Sequence, residues 1–190
     1  MPAAYFPAGG HTLPMKEVIP VYYSKRSLIL TAVGAILLGT GLHFLYDLLP
    51  NAATALLSPV NESLWEHVKI VYWPYLMGAL WLTRGRPGAI RPWLLVLPLM
   101  CALMLVLGFG YHILLGGEAL WVDVLIYILV MGLGFWLPTR FSGPFRGPLW
   151  TLPFFGVILL GILLGVFTLY PPQSILFANL QAANWFLLPC

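Results

Sequence analysis

The side chains able to do chemistry in this chain are few and fall into short stretches. His43 and Asp47 are spaced i, i+4, as are Ser63 with His67 and Asp123 with Tyr127; on a helix each such pair shares a face. Glu62, Glu66 and Lys69 follow at i, i+4 and i+7, one stripe along a second helix. Two imidazoles and a carboxylate from separate helices form a transition-metal set. His43, His67 and Asp123 are therefore candidate ligands for zinc or another divalent transition metal. Asp47, Tyr46, Asn61, Ser63, His112 and Tyr127 are candidates to orient or support them. Glu66 or Glu62 would act as general base on a bound water, with Lys69 supporting developing negative charge, which amounts to metal-dependent hydrolysis. The blander account makes each group a helix-end residue in contact with water, an ion pair or a cap. The metal-protease helix motif, paired CxxC, a nucleotide-binding loop and a nucleophile elbow are all missing from the sequence. Cys101 and Cys190 have neither metal nor redox spacing.

The elements that must hold these residues are apolar. Of 190 residues, 61% are hydrophobic and 8% charged, against about 25% charged in an ordinary soluble domain. This excludes a soluble globular protein, a disordered tail and a nucleic-acid binder; the partner it implies is the lipid bilayer. A spanning helix takes about 20 apolar residues. Runs of that kind cover 28–49, 59–82, 92–115, 119–137 and 149–170. A sixth run, 174–188, is short and carries Asn179, Gln181 and Asn184; it spans with thinning, re-enters or lies at the interface. The fold class is an all-α polytopic transmembrane bundle of five to six spans, residues 28–190, preceded by an N-terminal segment, 1–27, that is partly disordered or interfacial. No cleavable signal peptide is visible, and Met15 reads as an alternative start. Ser58 and Pro59 predict the start of the second helix, as N-cap and first helical residue. Pro74, Pro98 and Pro153 interrupt spans and free the carbonyls of Ile70, Leu94 and Leu149. Trp65, Trp93, Trp121, Trp136 and Trp150 are expected as interfacial anchors.

The basic residues set orientation. Lys16, Lys25 and Arg26 precede the first run, Arg84, Arg86 and Arg91 follow the second, and Arg140 and Arg146 follow the fourth. All eight then face the cytoplasm with the N-terminus. Lys69, five of six acidic residues and three of four histidines gather toward the opposite end. Charges at membrane depth are costly and usually face a cavity or one another.

The stretch from His43 to Pro74 resembles a family of small, uncharacterised bacterial integral membrane proteins. Its LHF-Y segment falls on His43, Phe44 and Tyr46. Its PVNES-WEH-K segment falls on Pro59, Val60, Asn61, Glu62, Ser63, Trp65, Glu66, His67 and Lys69. The resemblance implies a multi-pass protein of the bacterial inner (plasma) membrane and carries no activity with it. The residues thus support three functions: a metal-dependent hydrolase acting on a lipid or membrane-surface substrate, a small-solute or ion transporter, and a non-catalytic structural protein. A midplane nearly bare of charge counts against transport, which usually places its site there.

Overall fold

A computed structural model describes residues 23–181 apart from Pro87 and Pro144. The N-terminal stretch 1–22, with His11 and the alternative start at Met15, lies outside the described residues, as does 182–190, the latter part of the sixth run. Six α-helices follow in order: α1 (Lys25–Leu48), α2 (Ala52–Leu57), α3 (Leu64–Thr83), α4 (Arg91–Gly108), α5 (Leu120–Trp136) and α6 (Leu152–Leu169). There is no strand among the described residues. The chain is all-helical, and four of its helical stretches, Lys25–Leu48, Arg91–Leu114, Leu120–Arg140 and Pro148–Leu169, are long and apolar enough to cross a membrane.

The remaining long helix, α3, is the least suited to lipid and sits at the centre. Fourteen of its 20 residues are buried, against only Ala35 and Gly39 in the 24 residues of α1. The outer helices leave Ile29, Leu30 and Leu37 of α1 and Phe155, Leu159 and Ile162 of α6 exposed, as apolar rims facing lipid would be. Buried tyrosines tie the bundle together by donating to carbonyls of neighbouring helices. Tyr72 reaches Val157 on α6 at 3.0 Å and Tyr75 reaches Gly134 on α5 at 2.9 Å. From α5, Tyr127 reaches Ile36 on α1 at 3.1 Å. Each tyrosine lies against a glycine, at Gly161, Gly134 and Gly39 respectively, where a Cβ would collide with the ring or hydroxyl. Small residues admit this close approach.

Several local expectations change. The segment after α1 folds as α2, capped by Asn51, whose side chain accepts from the Ala53 and Thr54 amides while Thr54 reaches back to the Asn51 amide. Ser58 therefore ends α2. Helix α3 begins at Leu64, with Ser63 as N-cap accepting from the Glu66 amide at 3.3 Å. The third apolar run is not uniformly α-helical, since residues Phe109–Leu114 form a π-helix. Pro153 opens α6 instead of interrupting it. Pro74 does lie inside α3, and the Tyr127 hydroxyl lies 3.4 Å from the Ile70 carbonyl it frees. Trp93 is wholly buried and donates to the Tyr23 hydroxyl at 3.0 Å, and Trp65 is buried too. The aromatic anchor reading fits the exposed Trp121 and Trp136 but not these two.

Candidate metal centre

Helix polarity alternates along the chain, so the end of α1 and the starts of α3 and α5 meet at one end of the bundle. The short segment 58–63 crosses that end and is held from several directions. The buried Ser58 hydroxyl bridges the Leu42 carbonyl and the Tyr46 amide of α1, the two groups an α-helix would otherwise pair with one another. Glu66 Oε2 accepts from the Val60 amide at 2.9 Å. Asn61 accepts from the Ser63 amide at 2.9 Å, closing an Asx turn around Glu62. The Leu180 amide donates to the Glu62 carbonyl at 3.3 Å.

Held this way, the Glu62 side chain points between two histidines. His67 Nε2 lies 3.2 Å from Glu62 Oε2, and His43 Nε2 lies 3.7 Å from Oε1. One donor atom from each of the three falls within 4.8 Å of the others. The imidazoles lie beside each other, with centroids 5.2 Å apart. His67 Nδ1 lies 2.8 Å from the Ser63 carbonyl, which can only accept, so Nδ1 carries the proton. That leaves the Nε2 lone pair facing a carboxylate, an arrangement requiring a second proton or a cation between them. Glu62 lies in the connecting segment, and its hydrogen bond with His67 holds its carboxyl below the usual carboxylate range. His43 is less firmly set: its Nδ1 is buried without a hydrogen-bond partner, and Asp47, one turn further on, is exposed.

Two imidazoles and a carboxylate are the donor types of a small divalent metal site. Bonds of about 2.0–2.1 Å in tetrahedral array put ligand atoms about 3.3 Å apart; here one atom from each of the three residues falls within 4.8 Å of the others, so the side chains would close in on an ion. The His67 contact to the Ser63 carbonyl is the kind of support that fixes the tautomer of a ligating imidazole.

The other sequence candidates lie elsewhere. Asp123 pairs with His112, Oδ1 to Nε2 at 2.8 Å, and is not in the three-residue cluster; Glu62 takes the third place expected for it. Glu66 and Lys69 are occupied. Lys69 Nζ donates to Glu66 Oε2 at 2.6 Å, to the Ala55 carbonyl at 2.7 Å and to the Ser58 carbonyl at 3.1 Å. The Thr168 hydroxyl of α6 lies 2.7 Å from the Leu164 carbonyl and 3.1 Å from Glu66 Oε1, its one proton shared between them. With their side chains almost wholly inaccessible, neither is free to meet a substrate. Tyr46 contributes its amide, Asn61 and Ser63 shape the segment, and Tyr127 fixes helix spacing below the centre. Thr168 carried no sequence signal. The Ser63-x-x-Glu66 spacing, a known helix-start pattern, marks the true beginning of α3 and hence the position of Glu62 outside the helical stripe.

No curated protein and no solved structure matches the chain. One family does, over residues 19–185, which takes in every helix and the whole candidate centre. The chain belongs to that family, a family of unknown function (DUF6512).

Proposed function

We propose that this chain is a multi-pass membrane protein whose His43, Glu62 and His67 hold a divalent transition metal, zinc in the first instance, with a coordination position left for water. The observation that carries the reading is the convergence of three donor atoms from α1, the 58–63 segment and α3 within 4.8 Å. Mixed imidazole and carboxylate donors suit zinc and its neighbours. Three protein ligands with an open fourth position are the arrangement of hydrolytic centres, where the metal lowers the pKa of bound water and supplies a nucleophile at neutral pH. The function is hydrolysis of a lipid or membrane-surface substrate. Arg84, Arg86, Arg91, Arg140 and Arg146 gather toward the opposite ends of the helices, and by the bias of basic residues to the cytoplasmic side this supports an orientation with the centre at the outer face of the inner membrane.

Elemental analysis of detergent-purified protein tests this directly. One zinc, manganese or iron per chain is expected in the unaltered protein, and none in His67→Ala or His43→Ala. Preparations that hold no metal, and take none up from added zinc against a weak chelator, overturn it.

A further inference from the structure

One turn below the candidate centre, the Tyr127 hydroxyl brings three helices to the same level. It donates to the Ile36 carbonyl of α1 at 3.1 Å, lies 3.4 Å from the Ile70 carbonyl of α3, and presses on Gly39. Toward the centre, Asp123 lies four residues from Tyr127 on α5, His43 four residues from Gly39 on α1 and His67 three residues from Ile70 on α3, about 4.5–6 Å along each axis. Asp123 shares with Tyr127 the face of α5 from which that tyrosine reaches α1 and α3.

Asp123 is held there from behind. His112 Nε2 lies 2.8 Å from its Oδ1, and His112 Nδ1 lies 2.8 Å from the Gly117 carbonyl. Both ring nitrogens face acceptors, which fixes the ring between the Gly117 carbonyl and the Asp123 carboxylate. His112 stands on the π-helix after α4, whose wider turn re-aims side chains relative to an α-helix and recurs at functional sites. The Tyr111 hydroxyl accepts from the Ala119 amide at 2.9 Å and fixes the loop that returns to α5. The Asp123 side chain remains about one-third exposed, at 34%, and its Oδ1 is the oxygen engaged by His112.

We infer that Asp123 faces the open coordination position of the His43–Glu62–His67 centre and accepts the proton of the water bound there, with His112 as its positioning residue. This rests on the proposed metal centre. An O–H bond of the water breaks, the proton passes to Asp123 Oδ2, and the electron pair stays on the water oxygen as nucleophile. The protonated carboxyl can then return the proton to a leaving group. Glu66, closer in sequence, is buried and held by Lys69 and the Val60 amide.

The test uses cobalt(II)-loaded protein in detergent, with azide as the probe, titrated at one neutral pH and read by the cobalt visible absorption. A carboxylate beside the open position repels an anion, so Asp123→Asn should bind azide about tenfold more tightly at unchanged cobalt content. His112→Gln removes the ring that holds the carboxylate and should move azide affinity severalfold toward that of Asp123→Asn. Equal azide affinity in all three proteins overturns the inference. So does loss of cobalt from Asp123→Asn, which would make Asp123 a ligand. Absence of cobalt from the unaltered protein is a separate failure, that of the metal centre itself. If Asp123→Asn does not fold, His112→Gln decides, and an azide affinity equal to that of the unaltered protein overturns the assignment.

Discussion

Glu62 and Glu66 lie one helical turn apart in the sequence and belong to two different polar clusters. Glu66 enters the bundle, where both of its oxygens and all three protons of Lys69 find partners. Glu62 stays in the connecting segment, partly exposed, beside two imidazoles whose geometry is incomplete. His43 Nε2 is 3.7 Å away, too far for a hydrogen bond, and its Nδ1 has no partner. A saturated cluster has no free lone pair or proton to offer a substrate, and its effect is to hold parts together. An unsaturated one near the surface keeps donor atoms available. The first cluster fastens α2 and the 58–63 segment to α3; the second uses that fixed segment to hold a carboxylate beside two imidazoles.

The sharpest way to break this division is at Lys69. Lys69→Met should leave Glu66 as an uncompensated buried charge and two carbonyls without donors, costing about 3–5 kcal/mol, seen as a large drop in the thermal unfolding midpoint in detergent. The double variant Lys69→Met/Glu66→Gln should recover part of that loss. A single variant as stable as the unaltered protein would remove the structural role assigned to the pair.

Ser58→Ala comes next. Losing the hydroxyl that bridges the Leu42 carbonyl and the Tyr46 amide should cost about 1–3 kcal/mol and loosen the segment that carries Glu62. Metal affinity should fall with it. A stability loss with unchanged metal affinity would show that the segment holds its shape without α1.

Glu62→Gln should separate the clusters most cleanly, changing stability by no more than about 1 kcal/mol while metal content falls below stoichiometric. A metal content equal to that of the unaltered protein would remove Glu62 from the ligand set.

The smallest effect is the pH dependence of that same position. Because the folded-state carboxyl of Glu62 is held below its ordinary value of 4.5 by His67, its contribution to stability is fully present above that value. It is lost as pH falls through the lower folded value. The stability difference between metal-free unaltered protein and Glu62→Gln should therefore shrink as pH falls from about 5 to below 4. A difference that grows over that interval would contradict the sign.

Much of the fold is legible in the sequence because lipid-facing helices advertise themselves by length and apolarity. The runs at 28–49, 92–115 and 119–137 map onto α1, α4 with its π-helical extension, and α5 with small shifts. The second run is less clear. Ser58-Pro59 has the chemistry of a helix start, but Ser58 is drawn to α1, and the Asn51–Thr54 capping pair makes a separate helix before it. The π-helix at Phe109–Leu114 has no mark in hydropathy, which averages over one turn. Trp93 looked interfacial by position along its run, but position along a helix does not say which way a face turns.

Composition and the long apolar runs together pointed to a helical protein with spans suited to a membrane, because an 8% charged chain has few charges with which to cover a water-facing surface. Scarcity of charge likewise made His43, Glu62, Glu66, His67, Lys69 and Asp123 conspicuous from the sequence. Which of them belong together was decided by tertiary structure. Helical spacing grouped Glu62, Glu66 and Lys69 as one stripe, yet the helix begins after Glu62, so that side chain turns to the histidines while Glu66 and Lys69 turn inward. The side chains that meet Glu66 Oε1 and hold Asp123 are Thr168 and His112, on other elements, and contacts between distant segments leave no periodic trace in either one.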